Sequence, residues 1–414
     1  MNTDMNRCDT SPLLAYHEAL EQLTDNVAPR GRMVDKPLLQ ALGAVLAESI
    51  ESHIDVPGCA MSSMDGYAIN TADLAEHGTT TLPLSQRIAA GGVAETLVPG
   101  TAARIFTGAP VPPGADAVIM QEQVQHDIQR ISFESRPTSG NNVRPAGNDI
   151  RRGTTILSKG CRLRAQDIGL AASIGLQTLP VFAPIRVGMF FTGNELVEPG
   201  EKLAAGKIYD SNRYTLHGLL ETMGCEIVDL GLVGDTLDAT REAMLRAATQ
   251  ADLVVTTGGV SVGEEDHVRI ALEQLGELRL WRLGIKPGKP LAYGQINDTA
   301  FMGLPGNPVS VFATFCLFVS PLIQIMQGRD WHKPISLPVT ADFDWPKPDS
   351  RREFLRARLA TDADGQTRVQ IYPNQDSGVL TSTVWADGFV EIAENQTVRA
   401  GETVNYLPFA QFCN

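Results

Sequence analysis

The sequence has no C-x-x-C pair, and its six cysteines, Cys8, Cys59, Cys161, Cys225, Cys316 and Cys413, show no zinc spacing. That excludes a disulfide framework or a structural zinc ribbon and leads us to expect a reduced, cytoplasmic chain. Positive charge is also scarce. The formal net charge is −14 and the isoelectric point is near 5.0, which excludes the basic face that nucleic acid or an anionic membrane demands. Neither G-x-x-x-x-G-K-[ST] nor G-x-G-x-x-G occurs, so a Walker loop and a dinucleotide fingerprint are absent. The seven histidines show no metal spacing. MNTDMNRCDTSPLL has no apolar signal core, so export is not expected. One uncharged run, Val309 to Met326, is 18 residues long. It contains Ser310, Thr314, Ser320, Pro321 and Gln324 and follows a strand and a tight turn, and so reads as a buried helix rather than a membrane span.

At 414 residues with 43% hydrophobic content, the chain is a globular protein of several domains. Its richest stretch lies between Ala251 and Ser310, where TTGGVSVG, IKPGKP and GLPGNPVS each adjoin an apolar run. Closely spaced glycines let backbone N–H groups converge on an oxyanion, and a helix N-terminus adds positive partial charge. Gly258, Gly259 and Ser261 lie on the first loop, Lys286 and Lys289 on the second, and Pro305, Asn307 and Ser310 on the third. The alternative for the first loop is a plain tight turn.

Ser11-Pro12 reads as an N-cap and N1 pair for a helix carrying Leu13, Tyr16, Leu20 and Leu23. A second helix is expected over Pro37–Glu48, a β-rich module over residues 51–150, a hairpin over Gly153–Leu163 and a helix over Ala165–Ser173. From Ile185 to about Gln327, strands and helices alternate, which implies a mainly parallel sheet covered on both faces. Strands are expected at Ile185–Phe191, Ile227–Leu232 and Asp252–Thr257, and helices at Arg213–Met223, Leu237–Ala248 and Glu264–Leu275. Ligands of such sheets sit beyond the carboxyl ends of the strands. Past Trp331, four runs (Glu353–Leu359, Arg368–Tyr372, Phe389–Ala393 and Thr403–Leu407) read as a small β-domain.

Carboxylates recur beside turns: Asp65, Asp149, Glu195, Asp210, Asp235 and Asp266. Each alone is an ordinary cap or turn residue. Together with Lys286, Lys289 and the glycine loop they suit a divalent cation bridging acids to a phosphate or oxyanion.

In order and spacing, SSMDGYAI, TGAPVPPGADAVIMQEQV, TGNEL, YDSN, TTGGVSVGEED, IKPGKP and GLPGNPVS resemble the MoeA-type molybdopterin molybdenumtransferases, whose relatives include the E domain of gephyrin. The resemblance implies a multidomain α/β plus β fold: a helical and hairpin base (residues 8–50 and 148–183), an extended β-rich arm (51–147), a three-layer molybdopterin-binding α/β domain (184–330) and a C-terminal β-barrel-like domain (331–414). It further implies a homodimer whose active site lies between the α/β domain of one subunit and the arm and C-terminal domain of the other. The implied reaction takes adenylylated molybdopterin and molybdate and releases AMP with the help of Mg2+.

On that pattern Asp235 and Asp266 hold magnesium, and Asp266 and Lys286 join the catalytic set. Asp65, Asp149 and Glu195 position the pterin, the metal or an attacking oxygen, three roles that stay open. Thr107, Asp210, Ser211, Gly258, Gly259, Ser261, Lys289, Pro305, Asn307 and Ser310 bind substrate or anion. In RREFLR and NQDSGVLTS, Arg351, Arg356 and Ser377 complete the oxyanion site. The implied partners are a molybdopterin adenylyltransferase and acceptor molybdoenzymes, with no nucleic acid and no membrane. The sequence departs from the family pattern at Cys59-Ala60-Met61, Asn148, Asn194 and Arg282. Competing readings are a non-catalytic scaffold and the shorter, single-domain molybdopterin adenylyltransferases.

Overall fold

The computed structural model describes residues 13–260, 266–361 and 364–413. They fall into two compact units, one made of Asp35–Leu42 and Glu48–Pro180, the other of the remaining described chain.

The first unit is built on a six-stranded mixed sheet, in the order Ala117–Met120, Gly66–Ile69, Ala102–Ile105, Thr80–Ile88, Arg130–Phe133, Gln125–His126. Successive side chains of a strand point to opposite faces, and both faces are buried here. Tyr67 and Ile69 join Leu82, Ile119, Ile131 and Phe133 on one side, while Ala68 joins Ile88, Ala103, Ile105 and Val118 on the other.

Two sequence expectations fail in this part of the chain, and the first helix, which belongs to the other unit, begins later than the sequence suggests. No helix forms over Pro37–Glu48, where Leu38–Gln40 is a single 3-10 turn. Leu39 is 96% and Leu42 65% exposed, so the leucines make no buried stripe, and Val45 and Leu46 instead bond and bridge to Phe182 and Val181. Thr155–Leu157 pairs with Ile50–Glu51 rather than folding back as a local hairpin. The first helix is Tyr16–Asp25, while Ser11 and Pro12 lie outside the described residues. The helix starts late because the backbone of Leu14 is engaged elsewhere, donating to Arg282 O and accepting from Gly284 N, both at 2.8 Å.

In the second unit β1 (Arg186–Thr192), α1 (Asn212–Thr222), β2 (Glu226–Val233), α2 (Leu237–Gln250), β3 (Leu253–Thr257) and α3 (His267–Leu275) alternate as expected. They are followed by β4 (Gly276–Arg282), β5 (Pro290–Ile296), β6 (Thr299–Leu304) and the helix α4 (Pro308–Met326). The sheet runs 2-1-3-6-5-4. Strands β2, β1, β3 and β6 are parallel, while β5 and β4 are antiparallel additions. Alternation along β1 explains the two covering layers: Val187, Met189 and Phe191 enter one core with α1 and α4, and Phe190 enters the other with α2 and α3. Helix α4 is apolar enough to cross a membrane, yet 89% of it is buried inside this fold. It contains one π-helical stretch, Phe315–Val319.

The C-terminal strands are β7 (Leu337–Ala341), β8 (Arg352–Thr361), β9 (Thr367–Ile371), β10 (Gly388–Ile392) and β11 (Thr403–Pro408). They close a five-stranded ring, 7-9-8-10-11 and back to 7, which removes exposed edges. Strand β7 escapes a sequence reading because Pro338 interrupts an outward-facing, polar-flanked run.

Leu355 and Ala357 of β8 fill the barrel, whereas Phe354, on the opposite face, joins the core that contains α4. Phe354, Phe389, Phe409, Phe412 and Phe312 pack edge to face or tilted, with ring centroids 4.7 to 6.2 Å apart. Such contacts add to area burial. Replacing Phe389, which is fully buried, by Ala is expected to destabilise this unit by about 3–5 kcal/mol. Urea unfolding followed by tryptophan fluorescence checks it, and a loss below about 1 kcal/mol would show that the cluster does not anchor the barrel.

Candidate functional site

The parallel order 2-1-3-6 brings four loops to the carboxyl end of the sheet. Asp235 follows β2, and its Oδ1 accepts from Thr192 Oγ1 at the end of β1 at 3.0 Å. Glu195, two residues beyond Gly193 in the loop after β1, is exposed. After β3, Gly258 N–H donates to Leu304 O of β6 at 3.0 Å. Gly259 has φ +63°, and a Cβ there would lie 2.7 Å from Val268 Cγ2 and 3.3 Å from Asp266 Oδ1, so only glycine lets the loop seat the Asp266 carboxylate. Asp266 is 5% exposed. Ser261 lies outside the described residues.

Asp210 and Ser211 lead into α1. Asp210 is buried, its Oδ1 accepts from Arg213 N at 3.1 Å, and burial raises its carboxyl above the ordinary range. Asn212 Nδ2 donates to Gly306 O at 2.8 Å, which ties this corner to the loop after β6. Among the described residues, no three His, Cys, Asp or Glu side chains cluster closely enough to hold a metal unaided.

Beside these loops is a cavity of about 420 Å³. One wall is Lys286, Pro287, Gly288, Lys289 and Pro290; a second is Pro305, Gly306, Asn307 and Ser310; the third, from the barrel, is Arg351, Gln375, Asp376 and Ser377. Gly288 has φ +111°, and an added Cβ would stand 2.6 Å from Thr314 Cγ2. The IKPGKP turn therefore requires glycine there in order to lie against α4. The barrel wall is pinned to the same helix: Asn307 Nδ2 donates to Ser377 Oγ at 2.8 Å, and Val309 N–H donates to Ser377 O at 3.0 Å. Ser310, in the first turn of α4, is buried.

The cations of the cavity are backed by acids. Lys286 Nζ lies 2.9 Å from Glu353 Oε1 and 3.3 Å from Asp349 Oδ2. Burial alone would lower the lysine, but the bonds to Glu353 and Asp349 outweigh it and hold its ammonium above the usual range. Arg351 grips Asp349 with Nε at 3.0 Å and Nη2 at 2.9 Å, which holds that carboxyl well below the usual range. Glu353 Oε2 accepts from Trp345 Nε1 at 2.7 Å.

Arg356 stands behind the wall rather than in it. Its side chain is 1% exposed and donates to Ser382 Oγ at 3.0 Å and Asp376 O at 3.2 Å. Burial pushes it down to about 10. It holds the loop that carries Gln375, Asp376 and Ser377.

In the other compact unit, Asp65 Oδ1 accepts from Thr107 N at 2.7 Å and Thr107 Oγ1 at 2.8 Å, and these bonds lower its carboxyl. Asp149 sits on an exposed turn whose backbone N–H donates to Val56 O at 3.0 Å.

The cavity thus brings together Lys286, Lys289, Pro305, Asn307, Ser310, Arg351 and Ser377. Sequence reasoning passed over Asp349, Glu353, Gln375, Asp376 and Asn212. Asp349 carried a faint signal, the D-x-R spacing that lets an arginine chelate the preceding acid, and Glu353 carried another as an acid at the start of an apolar strand.

Residues 14–175, 188–325 and 338–409 match the family models described as MoeA N-terminal region (domain I and II), probable molybdopterin binding domain and MoeA C-terminal region (domain IV). The chain is 40% identical over 376 residues to a molybdopterin molybdenumtransferase of Haemophilus influenzae, across 90% of this chain and 93% of that protein. It is 32% identical over 380 residues to one of Bacillus subtilis, across 89% and 88%. Its fold is similar to the crystal structure of a molybdopterin biosynthesis MoeA protein from Pyrococcus horikoshii, with TM-score 0.84 and 32% identity over 96% of this chain and 100% of that one.

The depressed Asp349 carboxyl makes the charge knot pH-dependent. Its stabilisation is complete above the ordinary aspartate pKa of about 3.9 and is lost as pH falls toward the lowered folded value. The contribution of Lys286, whose value is raised, persists until pH exceeds about 10.4. Asp349→Asn is expected to cost about 1–3 kcal/mol at pH 7, and its deficit relative to the native chain should narrow between pH 6 and pH 3. Urea titrations at both pH values test this, and a deficit that stays constant would remove Asp349 from the acid response.

Proposed function

The chain belongs to the MoeA family of molybdopterin molybdenumtransferases and is an enzyme of molybdenum cofactor biosynthesis, and we propose that it inserts molybdate into adenylylated molybdopterin with release of AMP. The observation that carries this reading is the cavity where Lys286, Lys289, Arg351 and Ser377 converge at the carboxyl end of β6. A tetrahedral dianion needs several donors aimed at one point. Lysine and arginine supply charge, while Ser310, Asn307 and Ser377 supply directional polar groups. The neighbouring Gly258-Gly259 turn, with Ser261, Asp210 and Ser211, suits the phosphate and pterin parts of the substrate.

Magnesium is commonly held by one or two carboxylates together with substrate phosphate oxygens and water. Asp235 and Asp266 fit that donor set, lying beyond the ends of β2 and β3 on either side of β1. The ion, when bound, would neutralise charge on the phosphates as the bond to AMP breaks. A water oxygen adds to the pterin phosphorus and gives up its proton to the phosphate products, while the phosphoanhydride P–O bond breaks and its electron pair leaves with AMP. Thr192 orients Asp235, the Gly259 turn seats Asp266, and Lys286 holds the oxyanion.

We assign Asp65, Thr107, Asp149 and Glu195 to substrate positioning. We further propose a cytoplasmic homodimer with the four domains given by the resemblance above. Its substrate would come from a molybdopterin adenylyltransferase and its product would pass to molybdoenzymes.

AMP release from adenylylated molybdopterin by the purified protein, with magnesium, should depend on molybdate. Pterin binding without release would leave a carrier instead of an enzyme. Asp266→Ala is expected to lower the rate of release by about a hundredfold or more while the protein stays folded. An unchanged rate would take Asp266 out of the reaction.

A further inference from the structure

The cavity has little net charge, although an anion is its proposed ligand. Lys286, Lys289 and Arg351 are balanced by Asp349, Glu353 and Asp376. Asp376 is turned into its own loop, where its Oδ1 accepts from Gly378 N at 2.8 Å. Glu353 is 1% exposed and held by Trp345, so it forms a fixed floor beneath Lys286.

Asp349 differs from both. Its Oδ1 accepts from the backbone N–H and Nε of Arg351, each at 3.0 Å, and its Oδ2 accepts from Arg351 Nη2 at 2.9 Å and Lys286 Nζ at 3.3 Å. It is the one carboxylate among the described residues that these contacts join to both Lys286 and Arg351. A guanidinium has five N–H donors, so with Nε and one Nη2 hydrogen on Asp349, three stay available, in directions set by the chelate.

Resting on the reading of the cavity as an oxyanion site, the geometry points to Asp349 as the residue that sets oxyanion selectivity, by clamping Lys286 and Arg351 at a fixed spacing and offsetting their charge. Molybdate and sulfate share charge and shape and differ mainly in size, sulfate having the shorter bonds. Without Asp349, Arg351 would lose its acid and its tether, and Lys286 would be held by Glu353 alone, so the pair could close on either ion. Clamped donors cannot follow the smaller ion inward, and an oxygen that has lost its water without gaining a donor disfavours binding. The clamp therefore rejects the commoner, smaller oxyanion at some cost in raw attraction, which is selectivity by an unfavourable arrangement for the competitor.

Calorimetric titration of molybdate and of sulfate into the full chain separates this idea from the reading beneath it. With Asp349→Asn, sulfate affinity is expected to rise about tenfold, and molybdate affinity by less than about threefold, so that the preference for molybdate falls. Asp349→Glu should keep most of the preference, because the charge and both partners are retained. Lys286→Ala should bind molybdate at least about tenfold more weakly. If the native chain fails to bind molybdate, or Lys286→Ala binds it unchanged, the cavity reading falls and the clamp with it. If Lys286→Ala loses molybdate but Asp349→Asn keeps the native preference, the clamp alone is wrong. Should Asp349→Asn melt below the titration temperature, Asp349→Ser provides the same comparison, and a native preference in Asp349→Ser would equally overturn the clamp.

Discussion

Two residue pairs hold the second unit's cavity wall together: Ile285 with Arg352 and Lys286 with Glu353, the parallel ladder between the IKPGKP turn and the first residues of β8. Because side chains alternate along paired strands, this register turns Ile285 into the core and leaves Lys286 beside its opposite number, Glu353. Arg352 N–H donates to Gly284 O at 2.8 Å and extends the match by one bond. The register aligns the barrel strand with the α/β loop and so determines where Arg351, Asp349 and the 375–377 loop fall. A slip of one residue would reverse every facing side chain, and the wall would lose both the Glu353 floor beneath its lysine and its arginine.

The aromatic cluster secures the same junction by other means. Phe354 and Phe389 leave the barrel's own interior and pack with Phe312, Phe409 and Phe412 against α4. Burial gives this packing strength without direction, whereas the short ladder and the bonds from Ser377 to Asn307 and Val309 give direction with little buried area. For a chain of net charge −14, such precision matters. Long-range attraction for an anion is absent, so the oxyanion recognition proposed above depends on donors placed at short range.

The sequence made most of the α/β unit legible, since β1, β2 and β3 are apolar runs bounded by turns and the intervening helices carry apolar residues at helical spacing. Four of the five barrel strands were readable for the same reason. What failed was local pattern without a matching surface. The leucines of 38–42 suggest a helix only if Leu39 and Leu42 have something to pack on, and both are exposed. The hairpin expected at 153–163 was overruled by a partner strand a hundred residues earlier. In the site, Lys286, Lys289 and Asn307 stood out because glycine and proline turns mark them, whereas Ser377 and Arg351 came from the family resemblance alone. Asp349 and Glu353 did not stand out, since their importance exists only once residues 285–286 lie beside 352–353, a pairing between segments 67 positions apart that no local window contains.

The apolar helix α4 is covered in part by residues made much later: Phe354, Phe389, Leu407 and Phe412 share its core, and Ser320 donates to Phe412 O. During synthesis from the N-terminus, then, a segment with the hydropathy of a membrane anchor lacks part of its cover until these later residues are made. The barrel residues therefore complete the burial of that helix as well as forming one wall of the cavity.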